Sequence, residues 1–563
     1  MEKIADVFLR GYSISKNNMF SRIRRGNTFE TFTYSQALEI IKSIGGYLKS
    51  KGFAKGDRAA ILGENCPEWG ISYFGIQWAG GVCVPLDARA SPYDWEHFMI
   101  HSECKFIFVS ERFVPDILEI KDKVDSLKEV ISFPNGKENA LSFKEVSSFK
   151  EKLEYPVIRD ENELAIILYT SGTTGTSKGV MLSHKNIISD IEAVLKVFDF
   201  NENDHLFSVL PIHHVFEGTC GFLAPLYVGA KITYARSLKP TELLEDLKET
   251  EPTVFLTVPL LLEKLYNGIQ KNIKNLPPGK KAFFKVMSLL TNFLDPITGE
   301  KTSKILFKTV REKMGFGKIR YIVSGGAALP PWVGKGFKKL GLPIYQGYGL
   351  SETSPVVSVN PPKGKNKIES VGPPIPGVEV KILDPDENGI GEIAVKGDIV
   401  MLGYYKDKKA TEKVFKDGWF LTGDLGYIDE DGYIHITGRK KSVIVTKGGK
   451  NIYPEEIEEK LLESPIIKEC IVLAKIHPKT KTEIIHAIIY PNYEEIDSRA
   501  KELNVDVTED LVREWIGKEI EEVNKKLADY KKIRSFSLRD EEFPKTTTQK
   551  IKRYLFEEGG IEI

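Results

Sequence analysis

The stretch Tyr169-Thr170-Ser171-Gly172-Thr173-Thr174-Gly175-Thr176-Ser177-Lys178-Gly179-Val180 decides how the chain is read. Residues 164–168 are apolar and β-prone and run into it, and residues 179–182 leave it as a second strand. Between them, glycines let backbone N–H groups converge on an anion, and the hydroxyls add donors. Lys178 supplies a positive point charge suited to phosphate. A Walker A loop is ruled out, because five residues after Gly172 comes Ser177 and no Gly-Lys-Ser/Thr. A Gly/Ser/Thr run can also serve as a flexible linker. Two flanking strands, an embedded lysine and two glycines at fixed spacing count against that here.

Working outward, strand-like and helix-like stretches alternate. Residues 58–62 read as a buried strand, 68–79 as a helix, and 82–86 and 105–110 as further strands. Such alternation predicts α/β layers with largely parallel sheets. After about Gly372 the pattern changes: 378–383, 391–395 and 433–436 alternate between Gly/Asp turns, so antiparallel β structure is expected. Residues 454–462 open with proline and acids, as a helix N-terminus does. The expected fold is a large N-terminal domain of layered α/β subdomains plus a β-rich subdomain over 1–438, and a small mobile α+β domain over 442–563. The boundary is placed at Gly438-Arg439-Lys440-Lys441.

Length supports this division, since 563 residues suggest roughly three or four domains or subdomains. Lys+Arg and Asp+Glu balance at 79 each, so a general attraction to nucleic acid is not expected. Met1-Glu2-Lys3-Ile4-Ala5-Asp6 has no apolar signal region, and no apolar run approaches a bilayer span of about 20 residues. Cys66, Cys83, Cys104, Cys220 and Cys470 form no C-x-x-C pair and read as reduced thiols, which fits a cytoplasmic protein. Asp384-Pro385-Asp386-Glu387-Asn388-Gly389 starts like a calcium loop, but its twelfth position is Val395, so a hairpin turn is expected. His213-His214 with Glu217 lacks the His-Glu-x-x-His frame, and no metal role is assigned to it.

The loop at 169–180 resembles the signature loop of the adenylate-forming superfamily, which includes acyl-CoA synthetases, luciferases and nonribosomal-peptide adenylation domains. That resemblance implies that Thr170, Ser171, Gly172, Thr173, Thr174, Gly175 and Lys178 grip the β- and γ-phosphates of ATP. Other motifs follow in family order. Ser324-Gly325-Gly326-Ala327-Ala328-Leu329-Pro330 resembles the adenine-side loop. Gln346-Gly347-Tyr348-Gly349-Leu350-Ser351-Glu352 resembles the Tyr-Gly-x-Thr-Glu motif, with Ser351 keeping the hydroxyl. The family then places Tyr348 against adenine and Glu352 with Thr170 at Mg²⁺, a hard-oxygen donor set suited to that ion. Thr422-Gly423-Asp424-Leu425, alone no more than a turn, implies a ribose contact for Asp424. Arg439 is implied as a nucleotide contact and Lys441 as the hinge. Pro211-Ile212-His213-His214 resembles the Pro-x-x-His element beside the acyl pocket; outside the series His214 reads as a packed core histidine.

Pro544-Lys545-Thr546-Thr547-Thr548-Gln549-Lys550-Ile551-Lys552-Arg553 resembles the motif of the catalytic lysine, here Lys550. Gln549 stands where glycine is usual, a departure shared with the long-chain fatty-acyl branch. Without the resemblance the run is a basic, solvated face. Lys447-Gly448-Gly449-Lys450 is implied to reach the active site for the second step, near the pantetheine arm of coenzyme A.

The implied activity is ATP-dependent conversion of a medium- or long-chain fatty acid to acyl-adenylate, then transfer to coenzyme A. Alternatives are an aryl- or other carboxylate-CoA ligase, and transfer to a carrier-protein pantetheine. A non-catalytic adenylate sensor is disfavoured by the presence of Lys178, Glu352, Asp424, Arg439 and Lys550 together. Between Tyr266 and Arg320, twelve lysines and arginines face only Asp295, Glu300 and Glu312. Long-chain acyl-CoA synthetases resemble this chain in carrying a helical insertion here. Such a stretch suits either an anionic membrane surface or a solvated helical hairpin. Val215-Phe216-Glu217-Gly218-Thr219-Cys220-Gly221 lacks the tryptophan that gates the acyl tunnel in some long-chain relatives.

Overall fold

The computed structural model of the protein describes residues 2–170, 177–298, 301–445, 451–476, 483–545 and 551–557. Two eight-stranded sheets form the larger part. One runs in spatial order Gly403–Tyr404, Lys178–Ser183, Leu164–Thr170, Val82–Leu86, Arg58–Leu62, Cys104–Ser110, Glu129–Phe133, Leu141–Ser142. From Leu164–Thr170 to Leu141–Ser142 its neighbours pair in parallel. The other runs Val356–Val359, Ile344–Gly349, Tyr321–Ser324, Val254–Thr257, His205–Ser208, Lys231–Tyr234, Met19–Arg25, Thr28–Thr33, parallel except at its two edges. The α/β layering expected from alternation is therefore present.

The helix Pro67–Trp78 shows why the layers hold. All of its residues are buried, including Trp69, Tyr73, Phe74 and Trp78. An all-round apolar helix has no solvent face and belongs between layers. It touches strands of both eight-stranded sheets and the helix Tyr34–Ser50. The strand Arg58–Leu62 is buried beyond its first residue, as parallel strands covered on both faces are.

Antiparallel pairing appears where it was expected. Trp419–Ile428 pairs antiparallel with Phe415–Lys416 and with Ile434–Arg439. The false calcium loop is a turn: Asp386 Oδ1 accepts from the N–H groups of Asn388 and Ile390 at 2.9 and 3.0 Å. By mutual contact the chain forms two compact units. The first runs through Val380 and resumes over Val395–Phe420; the second holds Lys381–Ala394 and Leu421–Ile563. Within the second, Ile467–Ile476, Glu483–Pro491 and Ile533–Leu538 form a three-stranded sheet. The helices Pro454–Leu461 and Glu509–Lys525 help build its core, around Ile457, Leu461, Ile516 and Ile520. Among the described residues no helix is long and apolar enough to cross a membrane.

Candidate active site

The two strands that flank the decisive stretch pair with each other. Leu164–Thr170 and Lys178–Ser183 pair antiparallel, with Thr170 opposite Lys178 and Tyr169 opposite Gly179. The connecting residues Ser171, Gly172, Thr173, Thr174 and Gly175 lie outside the described residues. The exit strand runs straight into the helix His184–Val197, capped reciprocally by Ser183 and Asn186. The Asn186 amide also donates to the carbonyls of Asp398 and Val400, at 2.8 and 2.9 Å. Those bonds bring Gly403–Tyr404 onto the exit strand, with Gly403 opposite Met181 and Tyr404 opposite Val180.

Tyr404 then joins two residues that the sequence singled out separately. Its ring lies under the Lys178 ammonium, 4.7 Å from Nζ to the centroid. Its hydroxyl donates to Glu352 Oε1 at 2.9 Å. Burial, and then the Glu352 charge, push the Tyr404 phenol far above its usual range, so it remains a donor. The short helical turn Ser351–Thr353 carrying Glu352 packs on the Lys178–Ser183 strand. A carboxylate with a fixed hydroxyl, beside the strand pair that ends in Thr170, is an oxygen donor set that fits Mg²⁺.

The two glycine-rich motifs are sheet neighbours, with Ser324 opposite Gln346 in parallel register. The Leu329 N–H donates to Gln346 Oε1 at 3.3 Å, tying one loop to the other. Gly326 and Ala327 are exposed, while Gly347 and Tyr348 are half-buried. Gly349 is required by close approach: a Cβ there would lie 1.8 Å from the Pro355 carbonyl oxygen. Gly325 lies against the turn that follows the Pro-x-x-His stretch, since a Cβ there would come within 3.2 Å of the Phe216 ring.

The Pro-x-x-His turn is clamped by Asn65, which follows the Arg58–Leu62 strand. Its amide donates to Leu210 O and Ser208 Oγ at 2.6 and 3.0 Å and accepts from Ile212 N at 2.9 Å. His213 is buried and its Nε2 lies 3.3 Å from Asp87 Oδ1; its ring packs on His214 at 4.2 Å. Asp87, His213 and His214 each bring a donor atom within 4.8 Å of the others, a grouping that sequence distance hides. His214 helps line a small, partly open pocket whose other walls are mainly apolar, among them Trp69, Tyr73, Leu168, Leu182 and Phe222. One wall is a π-helical turn, Phe216–Leu223. Wide turns of this kind recur at functional sites. Glu217 in that turn is fully buried, and its Oε1 accepts from Ser208 Oγ at 2.5 Å. Burial raises its carboxyl to about 8.

In the second unit, Asp424 and Arg439 stand opposite each other on paired strands, with Arg439 Nε 2.9 Å from Asp424 Oδ1. Thr422 Oγ1 accepts from the Asp424 N–H at 3.1 Å and donates to Ile393 O at 2.8 Å, which fixes the buried Asp424. Glu392 holds both ends of the motif, accepting from the Gly423 N–H at 3.2 Å and from Lys440 Nζ at 2.7 Å. Lys441 lies exposed in the turn Lys440–Ser442. Lys447, Gly448, Gly449, Lys450 and Lys550 lie outside the described residues.

The profile of the AMP-binding enzyme family matches residues 17–405, and that of the AMP-binding enzyme C-terminal domain matches 456–550. The chain is an AMP-binding enzyme. Long-chain-fatty-acid--CoA ligase FadD15 of Mycobacterium bovis is 30% identical over 92% of this chain and 89% of its own. Long-chain-fatty-acid--CoA ligase of Bacillus subtilis is 29% identical over 93% and 90%. The crystal structure of ATP-bound MatB from Rhodopseudomonas palustris superposes with a TM-score of 0.78 at 26% identity, covering 98% of both chains. This AMP-binding enzyme is thus an adenylate-forming acid–CoA ligase that uses ATP, Mg²⁺ and coenzyme A.

Proposed function

We propose that the acid is an unbranched fatty acid of medium or long chain. The observation that carries this reading is the likeness, over nearly the whole chain, to relatives named as long-chain-fatty-acid--CoA ligases; the small pocket beside His214, walled by Trp69, Tyr73 and Phe222, gives the acyl side an apolar lining. The helical 266–320 insertion supports it as well.

In the first step a carboxylate oxygen attacks the α-phosphorus of ATP, the bond to the β-phosphate oxygen breaks, and pyrophosphate leaves. Negative charge grows on the α-phosphate and the leaving group, so the chain's task is positioning and positive charge. Lys178 and the loop 170–178 take the leaving group, with Tyr404 holding Lys178 and Glu352 in one frame. Mg²⁺, when bound at Glu352 and Thr170, screens phosphate charge. Tyr348, with the Gly325-Gly326-Ala327 and Gln346-Gly347 backbones, takes adenine; Asp424 and Arg439 take ribose and nucleotide. Lys550 bridges α-phosphate and carboxylate. In the second step the coenzyme A thiol attacks the acyl carbonyl, the acyl–phosphate bond breaks, and AMP leaves. The C-terminal domain, taken as 442–563, turns at Lys441 between the steps, bringing Lys447-Gly448-Gly449-Lys450 in place of Lys550. This chemistry is placed in the cytoplasm, with the 266–320 insertion as the segment that meets a membrane surface.

The test is ATP–pyrophosphate exchange over acids of four to sixteen carbons and benzoate, then coenzyme A addition. Each methylene buried contributes about 0.8 kcal/mol, so kcat/KM climbs about tenfold per pair of carbons until the acyl site is filled. A flat response, or best activity on benzoate, overturns the fatty-acid reading and leaves the ligase chemistry intact.

A further inference from the structure

The helix Pro278–Thr298 is turned inside out. An amphipathic surface helix normally turns its apolar stripe to the core. Here Phe283, Val286, Leu290, Phe293, Leu294 and Ile297, spaced three and four apart on one face, are exposed, Phe293 and Ile297 by 81% and 80%. The face turned inward carries Met287 and Thr291, both buried, and Asp295, whose Oδ1 accepts from the Ser303 N–H at 3.0 Å. Phe284 anchors the same inward side against Phe307, centroid to centroid at 5.1 Å. The helix is therefore held by one side while its most apolar side faces out. A contiguous patch of that kind marks an interface.

We propose that this stripe lies in the surface layer of an anionic lipid bilayer, with the helix parallel to the membrane plane. Charge decides the occupant. Lys280, Lys281 and Lys285 are exposed near the start of the helix, Lys301 and Lys304 follow its end, and the one described carboxylate on the helix, Asp295, is engaged inward. Cationic side chains flanking an apolar stripe match anionic headgroups above acyl chains, and lysine stems reach from one layer to the other. A second copy of the chain, paired about a two-fold axis, would gather these lysines against one another. At about 1.5 Å per residue the helix extends roughly 30 Å, yet it does not span: it lies on the surface. The purpose rests on the fatty-acid reading, because such a substrate partitions into that layer.

Binding is measured without substrate, on the full chain, so that failure here is separate from failure of the acid panel. Vesicles of phosphatidylcholine alone, or mixed with phosphatidylglycerol, are sedimented with the protein. The wild type binds the mixed vesicles, less so at high salt. Phe293→Glu with Ile297→Glu lowers binding at least tenfold, and Lys280→Glu with Lys281→Glu and Lys285→Glu abolishes the preference for phosphatidylglycerol. All variants keep wild-type exchange activity on a short soluble acid, which shows that they fold. The five native cysteines are buried, so an added surface thiol can be labelled selectively. A polarity-sensitive dye on Phe293→Cys shifts blue with mixed vesicles, and on Asn292→Cys it does not. No binding of the wild type to mixed vesicles overturns the proposal. So does binding unchanged by the paired glutamates, or a lipid-free dimer that those glutamates split.

Discussion

Tyr404 is the residue that joins Lys178, proposed for the phosphates, to Glu352, proposed for Mg²⁺. It holds the Lys178 ammonium by its ring and Glu352 by its hydroxyl. The two roles separate by substitution. Tyr404→Phe keeps the ring and removes the bond to Glu352, a hydrogen bond to a charged group worth about 1.5–3 kcal/mol. Partial solvation places the expected loss at the lower end, about tenfold in exchange kcat/KM, with a raised requirement for Mg²⁺. Tyr404→Ala removes the cation–π contact as well and costs several-fold more. Exchange assays at varied Mg²⁺ check both, and equal activity in the two variants would dissolve the link. Nothing local in Gly403-Tyr404-Tyr405 announces this role. Thr170, Lys178 and Glu352 could be proposed from sequence because a motif surrounds each; Tyr404 comes beside them only through a pairing with Val180, more than two hundred residues away. Asn65 and Asp87 were missed for the same reason: single polar residues after strands whose partners lie on the Pro-x-x-His turn.

At the scale of elements, what sequence pattern carries is local period. Strands 58–62 and 82–86 and the helix from 454 are close to where periodicity and caps put them. The π-helical turn Phe216–Leu223 is wound more widely than the 3.6-residue period that sequence pattern reads. It places Glu217 beside Ser208 with no counter-charge among its causes of shift, and burial raises the carboxyl to about 8 from an ordinary 4.5. The sign follows from linkage. In the folded chain the proton stays on; in the unfolded chain it leaves near 4.5. The stabilisation is therefore complete below about 4.5, declines as pH rises, and is gone above about 8. Glu217→Gln preserves a hydrogen-bonding head group and removes the titration. Thermal unfolding at pH 6 and pH 9 is the check: the wild type falls relative to the variant on going to pH 9. A gap between the two that does not change with pH means that Glu217 is not held protonated.

At the scale of the whole molecule, one active site must serve two reactions with different nucleophiles and leaving groups. Of the residues proposed for the first step, Thr170, Lys178, Tyr348 and Glu352 belong to the larger unit and Asp424 and Arg439 to the second. Those implied in the exchange of steps, Lys447 to Lys450 and Lys550, belong to the chain after Lys441. A pivot at Lys441 is testable because proline fixes φ near −65° and removes one N–H. Lys441 is the middle residue of the exposed three-residue 3₁₀ turn Lys440–Ser442. Lys441→Pro removes freedom to swing, and an unchanged thermal unfolding midpoint is the check that it keeps the fold. If the locked arrangement is the adenylating one, pyrophosphate exchange stays within about threefold of wild type, while transfer from a supplied acyl-adenylate to coenzyme A falls by two orders of magnitude or more. Lys441→Ala, which removes the side chain and leaves the backbone free, separates loss of a lysine contact from loss of motion and retains both half-reactions. Lys441→Pro with unchanged overall turnover would move the pivot to another residue. Equal loss of both half-reactions in the proline variant would mean that the turn itself, and not its movement, is what the site needs.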